Sequence, residues 1–134
     1  MKKHNPTTIW PVPGAFQKIY SHAVEFSGPG DLLFVSGQIG IDPNGQLLET
    51  FANQCQQAMS NVEAVLEDAD FSTDGLVRLT YFLTDPDHLA ELNRIRMERW
   101  SASEPPAVTT LVVAGLARKE LLVEIEATVA RYRR

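Results

Sequence analysis

Pro105-Pro106-Ala107-Val108-Thr109-Thr110-Leu111-Val112-Val113, a glycine-bearing connector, and then Leu121-Leu122-Val123-Glu124-Ile125-Glu126-Ala127-Thr128 are the residues on which the fold turns. Both runs are rich in β-branched side chains, which pack well on a pleated surface, so two strands are expected. In the second run Leu121, Val123, Ile125, Ala127 and Val129 recur at every other position. That alternation makes one strand face core and puts Glu124 and Glu126 together on the other. A carboxylate pair so placed faces either open water or a cleft completed by a partner.

Upstream, Leu76 to Leu83 reads as another strand, apolar on both faces and ended by Thr84-Asp85-Pro86-Asp87. His88 to Trp100 follows as a helix, capped by Asp85 or Asp87 and stopped before Pro105-Pro106. From Thr50 to Asp70 the period is helical, with Cys55, Met59, Val62, Val65, Leu66 and Ala69 on one stripe and Thr50 as cap. Asp31 to Gln38 is apolar on both faces, as expected of a central strand covered on two sides. It runs into Ser36-Gly37-Gln38-Ile39-Gly40, where missing side chains permit close approach, and then into the Asp42-Pro43-Asn44-Gly45 turn. Ala15 to Phe26 is expected to be an irregular first strand, preceded by a proline-rich arm, Asn5 to Gly14. The order β-β-α-β-α-β-β predicts an α+β fold, a single sheet with both helices on one face. The other face is then unclad, so association of copies is expected.

The 134 residues suit one domain, residues 1–134, able to bury roughly two-thirds of its unfolded surface. A net charge of -5 disfavours a nucleic-acid partner. The basic end, Arg131, Arg133 and Arg134, reads as a solvated tail. One cysteine, Cys55, excludes an internal disulfide, and its spacing from His4, His22 and His88 matches no metal site. The start of the chain lacks a signal-peptide apolar core, and no run is long enough to span a membrane, so a cytoplasmic location is expected.

Tyr20-Ser21-His22-Ala23, Leu33 to Gly40, the Gly45 turn, Gln54 to Leu66 with its Asn61, Leu92-Asn93, Pro106-Ala107 and Val123 to Ala127 occur in an order that resembles the RidA (YjgF) family of imine and enamine deaminases. The resemblance covers about Tyr20 to Ala130. It implies a chorismate-mutase-like fold, a homotrimer whose sheets form a barrel, and ligand sites between subunits. It also implies cofactor-free hydrolysis of 2-imino or 2-enamino acids to 2-keto acids and ammonia. Deaminating members carry an arginine after Pro-Ala that grips the substrate carboxylate; here that position is Val108. Charge-assisted bonds of that kind are worth about 1.5 to 3 kcal/mol each, and valine supplies none.

The resemblance therefore implies Glu124 as the catalytic carboxylate, with Tyr20, Ser36, Asn93, Val108 and Thr110 around the substrate. Glu124 is expected to lie beside Val108 and Thr110 on a neighbouring strand. Against these roles stand packing for Tyr20, a bond to its own backbone for Ser36, and a local backbone cap for Asn93. Glu126 is expected in a structural salt bridge. Arg96 stands where the family often has an aromatic and is the stray cation that could take over the carboxylate grip, a solvated helix face being the favoured reading. A deaminase of larger or uncharged imines is the favoured function, the alternative being a non-catalytic ligand-binding or sensor trimer. A ribonuclease-type activity is disfavoured by charge.

Overall fold

The computed structural model describes residues 1–133, so Arg134 and its place in the basic tail lie outside the described residues. Its strands are β1 (Lys2–His4), β2 (Ala23–Glu25), β3 (Gly30–Ile39), β4 (Leu76–Leu83), β5 (Ala107–Val112) and β6 (Val123–Tyr132), and its helices are α1 (Phe51–Asp68) and α2 (Leu89–Arg99). The main sheet has the order β3-β6-β4-β5. The C-terminal strand β6 lies inside it, antiparallel to both β3 and β4, while β5 runs parallel to β4 at the edge. A parallel pair needs a crossover, which α2 provides.

Alternation in β6 acts as expected. Val123, Ile125, Ala127 and Val129 are buried against Leu79, Tyr81 and Leu83 of β4, the α1 stripe of Cys55, Met59, Val62 and Leu66, and Leu92 and Ile95 of α2. Both helices thus cover one face. Thr50 caps α1, its hydroxyl accepting from the Asn53 amide at 3.1 Å. Gln54, also on α1 and fully enclosed, donates to the Leu48 and Glu120 carbonyls and accepts from the Leu122 amide. One buried side chain thereby ties two connectors to the core.

Three expectations change. Asp31 to Gln38 lies in an edge strand, not a central one: β3 buries Val35 but leaves Phe34 74 % and Leu32 48 % exposed. Its second apolar face belongs to the unclad side of the sheet. The strand expected over Ala15 to Phe26 shrinks to β2, with a 3-10 turn at Gly14–Phe16 before it. It pairs with the unforeseen β1 as a separate ribbon, so the main sheet has a two-stranded companion. Asp85 caps the 3-10 turn Pro86–His88 by accepting from the Asp87 amide at 2.9 Å, whereas α2 itself begins at His88 without a side-chain cap. No helix among the described residues is long and apolar enough to cross a membrane.

Candidate functional site

The chain from Ile19 to Ser21 docks along the free edge of β5. Ser21, buried, accepts the sheet's end by donating its amide to the Pro106 carbonyl at 2.9 Å and its hydroxyl to the Pro105 carbonyl at 2.7 Å. This sets Tyr20 beside β5. Register then decides what β5 presents: Val108 pairs with Leu79 and Thr110 with Tyr81, both core-facing residues of β4, so Val108 and Thr110 point to the helix side. Between this edge, α2 and the N-terminal arm lies a cavity of about 280 Å³. Tyr20, Asn93, Val108 and Thr110 all line it, joined by Arg96 and by an apolar wall of Trp10, Phe16 and Leu89.

Arg96 corrects the expectation of a solvated helix face, for it is 5 % exposed. Its guanidinium donates to the Asn93 side-chain oxygen at 3.0 Å and to the Ile19 carbonyl at 3.1 Å, and its central carbon stands 4.7 Å from the centre of the Tyr81 ring. Burial pulls its pKa below the ordinary value, and the neighbouring Tyr81 works in the opposite direction. Asn93 therefore neither caps backbone nor stands idle; its carbonyl oxygen orients the cation.

Glu124 and Ser36 are elsewhere. Glu124 pairs with Phe82 across β4 and with Ile39 across β3, and alternation turns it to the unclad face, opposite the cavity. The strand next to β6 is β4, and β5 lies one further on. Glu124 is therefore not beside Val108 and Thr110 in its own chain. The ladder slips between Val35 and Gln38, and a methyl group added at Gly37 would collide with the Glu124 carboxylate. Ser36, exposed in this bulge, accepts from the Gln38 side chain through its backbone carbonyl rather than its hydroxyl. Glu126, expected in a salt bridge, joins no ion pair among the described residues; it is exposed beside Arg78, Thr80 and Phe34. Arg78 instead donates to the Thr109 hydroxyl at 2.9 Å.

The other titratable groups offer less chemistry. Burial pushes the Cys55 thiol up to about 12, which marks it as inert core. No group of three or more His, Cys, Asp and Glu among the described residues is placed to hold a metal ion.

The model of the family described as Endoribonuclease L-PSP matches residues 14–131. The chain belongs to this family, that of the Rid and RutC proteins. Among its relatives, a RutC family protein of Aquifex aeolicus is 40% identical over 111 residues, covering 81% of this chain and 86% of that protein. Of solved structures, a Rid-family protein of unknown function, YyfB from Yersinia pestis, superposes with a TM-score of 0.83 at 32% identity and covers 97% of this chain and 98% of its own. RidA from an Antarctic Psychrobacter superposes with 0.70 at 31% identity, covering 84% of this chain and 94% of that one. This Rid-family chain thus has the expected α+β fold. Sequence reasoning missed Trp10, Phe16 and Leu89, since the first lies in a proline-rich arm before the matched residues and nothing in its spacing signals a pocket wall.

Proposed function

We propose that this protein is a hydrolytic deaminase of reactive imines or enamines, acting in the cytoplasm as a homotrimer whose sites lie between copies. The observation that carries the reading is a division of labour. Among the described residues the cavity at β5 and α2 has no carboxylate in its lining, while Glu124 stands on the unclad face in a niche kept open by Gly37. A second copy packed against that face would bring the missing carboxylate to the cavity. Leu32, Phe34 and Leu111, exposed on or beside it, favour such packing.

In the reaction, water attacks the imine carbon while the Glu124 carboxylate accepts its proton. Glu124 returns that proton to nitrogen to give the carbinolamine, whose hydroxyl proton passes through the same carboxylate to the amine as the carbon–nitrogen bond breaks, leaving a carbonyl compound and ammonia. An enamine first takes a proton on carbon to become the imine. Tyr20 and Thr110 supply hydroxyls to the bound substrate, and the Asn93 amide nitrogen donates to it while the amide oxygen accepts from Arg96. Val108 disfavours the small 2-imino acids that an arginine there would hold.

The test is ammonia release from freshly generated imines of several sizes. Glu124→Gln keeps shape and hydrogen bonding but removes basicity, and a loss of at least about a hundredfold in turnover is expected. Normal turnover by that variant would remove Glu124 from the chemistry. Should the wild type release no ammonia from any imine, the non-catalytic ligand-binding or sensor trimer replaces this reading; Val108 is the observation that favours it. The ribonuclease named in the family description is disfavoured for this chain by its net charge of -5. Arg131 and Arg133, moreover, are both paired with Asp31 at 3.2 and 3.0 Å.

A further inference from the structure

Arg96 is a cation almost removed from water, yet it takes part in no ion pair among the described residues. An unpaired buried guanidinium is costly unless something compensates its charge. Among the described residues two of its N–H groups are taken, by neutral oxygens of Asn93 and Ile19. Beside it Tyr81, wholly enclosed, has a hydroxyl without a hydrogen-bond partner. The cation opens on a cavity that has no acidic side chain among the described residues, with Tyr20, Asn93 and Thr110 set in a largely apolar wall that includes Trp10, Phe16, Leu89 and Val108. Among the described residues the charge is met by two neutral oxygens and the Tyr81 ring but by no anion, and the space for a ligand that carries one is present.

We propose that the cavity takes an organic monoanion carrying a bulky apolar group, an aromatic or branched aliphatic carboxylate, with the anion on Arg96 of α2 and the apolar body against Trp10, Phe16 and Val108. This rests on reading the cavity as the ligand site, and it names the class of ligand that the site selects. Arginine suits the role because its planar fork holds a carboxylate through two parallel bonds while Asn93 and Ile19 fix its orientation. Valine at position 108 leaves apolar room that a second guanidinium would occupy. Trp10, 77 % exposed, lies on the arm and has ring surface to cover a ligand's outer side.

The experiment is calorimetric titration of the intact protein with phenylacetate, with acetate, and with 2-phenylacetamide, which keeps the body but not the charge. Phenylacetate is expected to bind at least about tenfold more tightly than the amide, from the charge-assisted bonds, and at least about tenfold more tightly than acetate, from burial of the ring. Equal affinity for phenylacetate and its amide would overturn the proposal, as would absence of binding by all three. Arg96→Gln is expected to erase the preference for the anion while leaving the amide's affinity unchanged; retention of the preference overturns the assignment of Arg96. Because Arg96→Gln removes a buried anchor and the variant is at risk of misfolding, Trp10→Ala, on an exposed residue, gives the second measurement. It should weaken phenylacetate several-fold and leave acetate unchanged, and an unchanged phenylacetate affinity counts against the apolar wall. None of these readouts requires turnover. Anion-selective binding without ammonia release upholds the ligand class and removes the deaminase reading, whereas ammonia release from imines with no anion preference does the reverse.

Discussion

Val108 and Arg96 face one cavity from different elements, so the position of a charge has moved from strand to helix relative to what the Rid resemblance implies. Val108→Arg should put a second guanidinium into the apolar half of the cavity. It is expected to improve turnover of 2-iminopropanoate by about tenfold or more, the worth of one charge-assisted bond, and to weaken bulky apolar substrates by occupying their space. Steady-state kinetics on a small and a large imine would check the exchange, and a variant that changes neither would show that Val108 does not meet the substrate. That Tyr20, Asn93, Val108 and Thr110 line one cavity agrees with what the family resemblance implied, whereas Glu124 and Ser36, implied with them, lie outside its lining. Arg96 stood out as a stray cation, but its burial was not legible, for a physical reason. Helical spacing marks a face by its apolar stripe, and a cation stacked on Tyr81 and bonded to the distant Ile19 carbonyl leaves no periodic trace. Glu124 was read correctly as turned away from the core, but its separation from Val108 comes from strand order and from a register that turns Val108 to the helix side, neither of which β-propensity reveals.

The two helices are joined by a polar clasp that composition alone would not disclose. Arg99, at the end of α2, donates to the Gln56 carbonyl and side-chain oxygen, the Ser60 hydroxyl and Glu63 on α1, and the Trp100 indole donates to Glu63 at 2.8 Å. Burial pushes the Glu63 carboxyl up, but hydrogen bonds from Arg99 and Trp100 and the arginine charge outweigh it, so its pKa lies below the ordinary value. A group depressed on folding contributes stability above its unfolded pKa and loses it as pH falls through the folded one. Glu63→Gln should therefore cost about 1 kcal/mol near neutral pH, a figure lowered for partial exposure of the pair. The gap to wild type should close as pH falls from the ordinary carboxylate range through the depressed folded value. Urea unfolding at neutral pH and at steps down through the carboxylate range checks this, and a gap that stays constant would mean that the charge contributes nothing. Of the elements themselves, α1 was legible because period and cap agreed, β6 from its alternation, β4 from an apolar run ended by turn residues, and α2 from the Asp and Pro residues that bound it, although it has no side-chain cap of its own. For β3 the apolar run was read correctly as a strand, but two apolar faces have two causes: a second layer within the chain, or an unclad side that awaits another copy. Of the β1–β2 ribbon only β2 fell within an expected strand; β1 and the pairing escaped notice because a three-residue strand carries too few positions for alternation to register.

Taken whole, the molecule has one clad sheet face and one bare one, and the cavity and Glu124 lie on opposite sides of that division. Assembly would join them. Light scattering at micromolar concentration is expected to report about three chains per particle, and a monomer would exclude a shared site. The shared site itself is tested most directly by mixing two silent subunits in the same cell. Glu124→Gln lacks the carboxylate but keeps its cavity, while Val108→Trp blocks the cavity but keeps the carboxylate. If each site combines the cavity of one chain with Glu124 of another, random mixing in equal amounts restores about one quarter of the sites, and ammonia release from an imine substrate should recover to about that fraction of the wild-type rate. A mixture as silent as its parents would contradict the account.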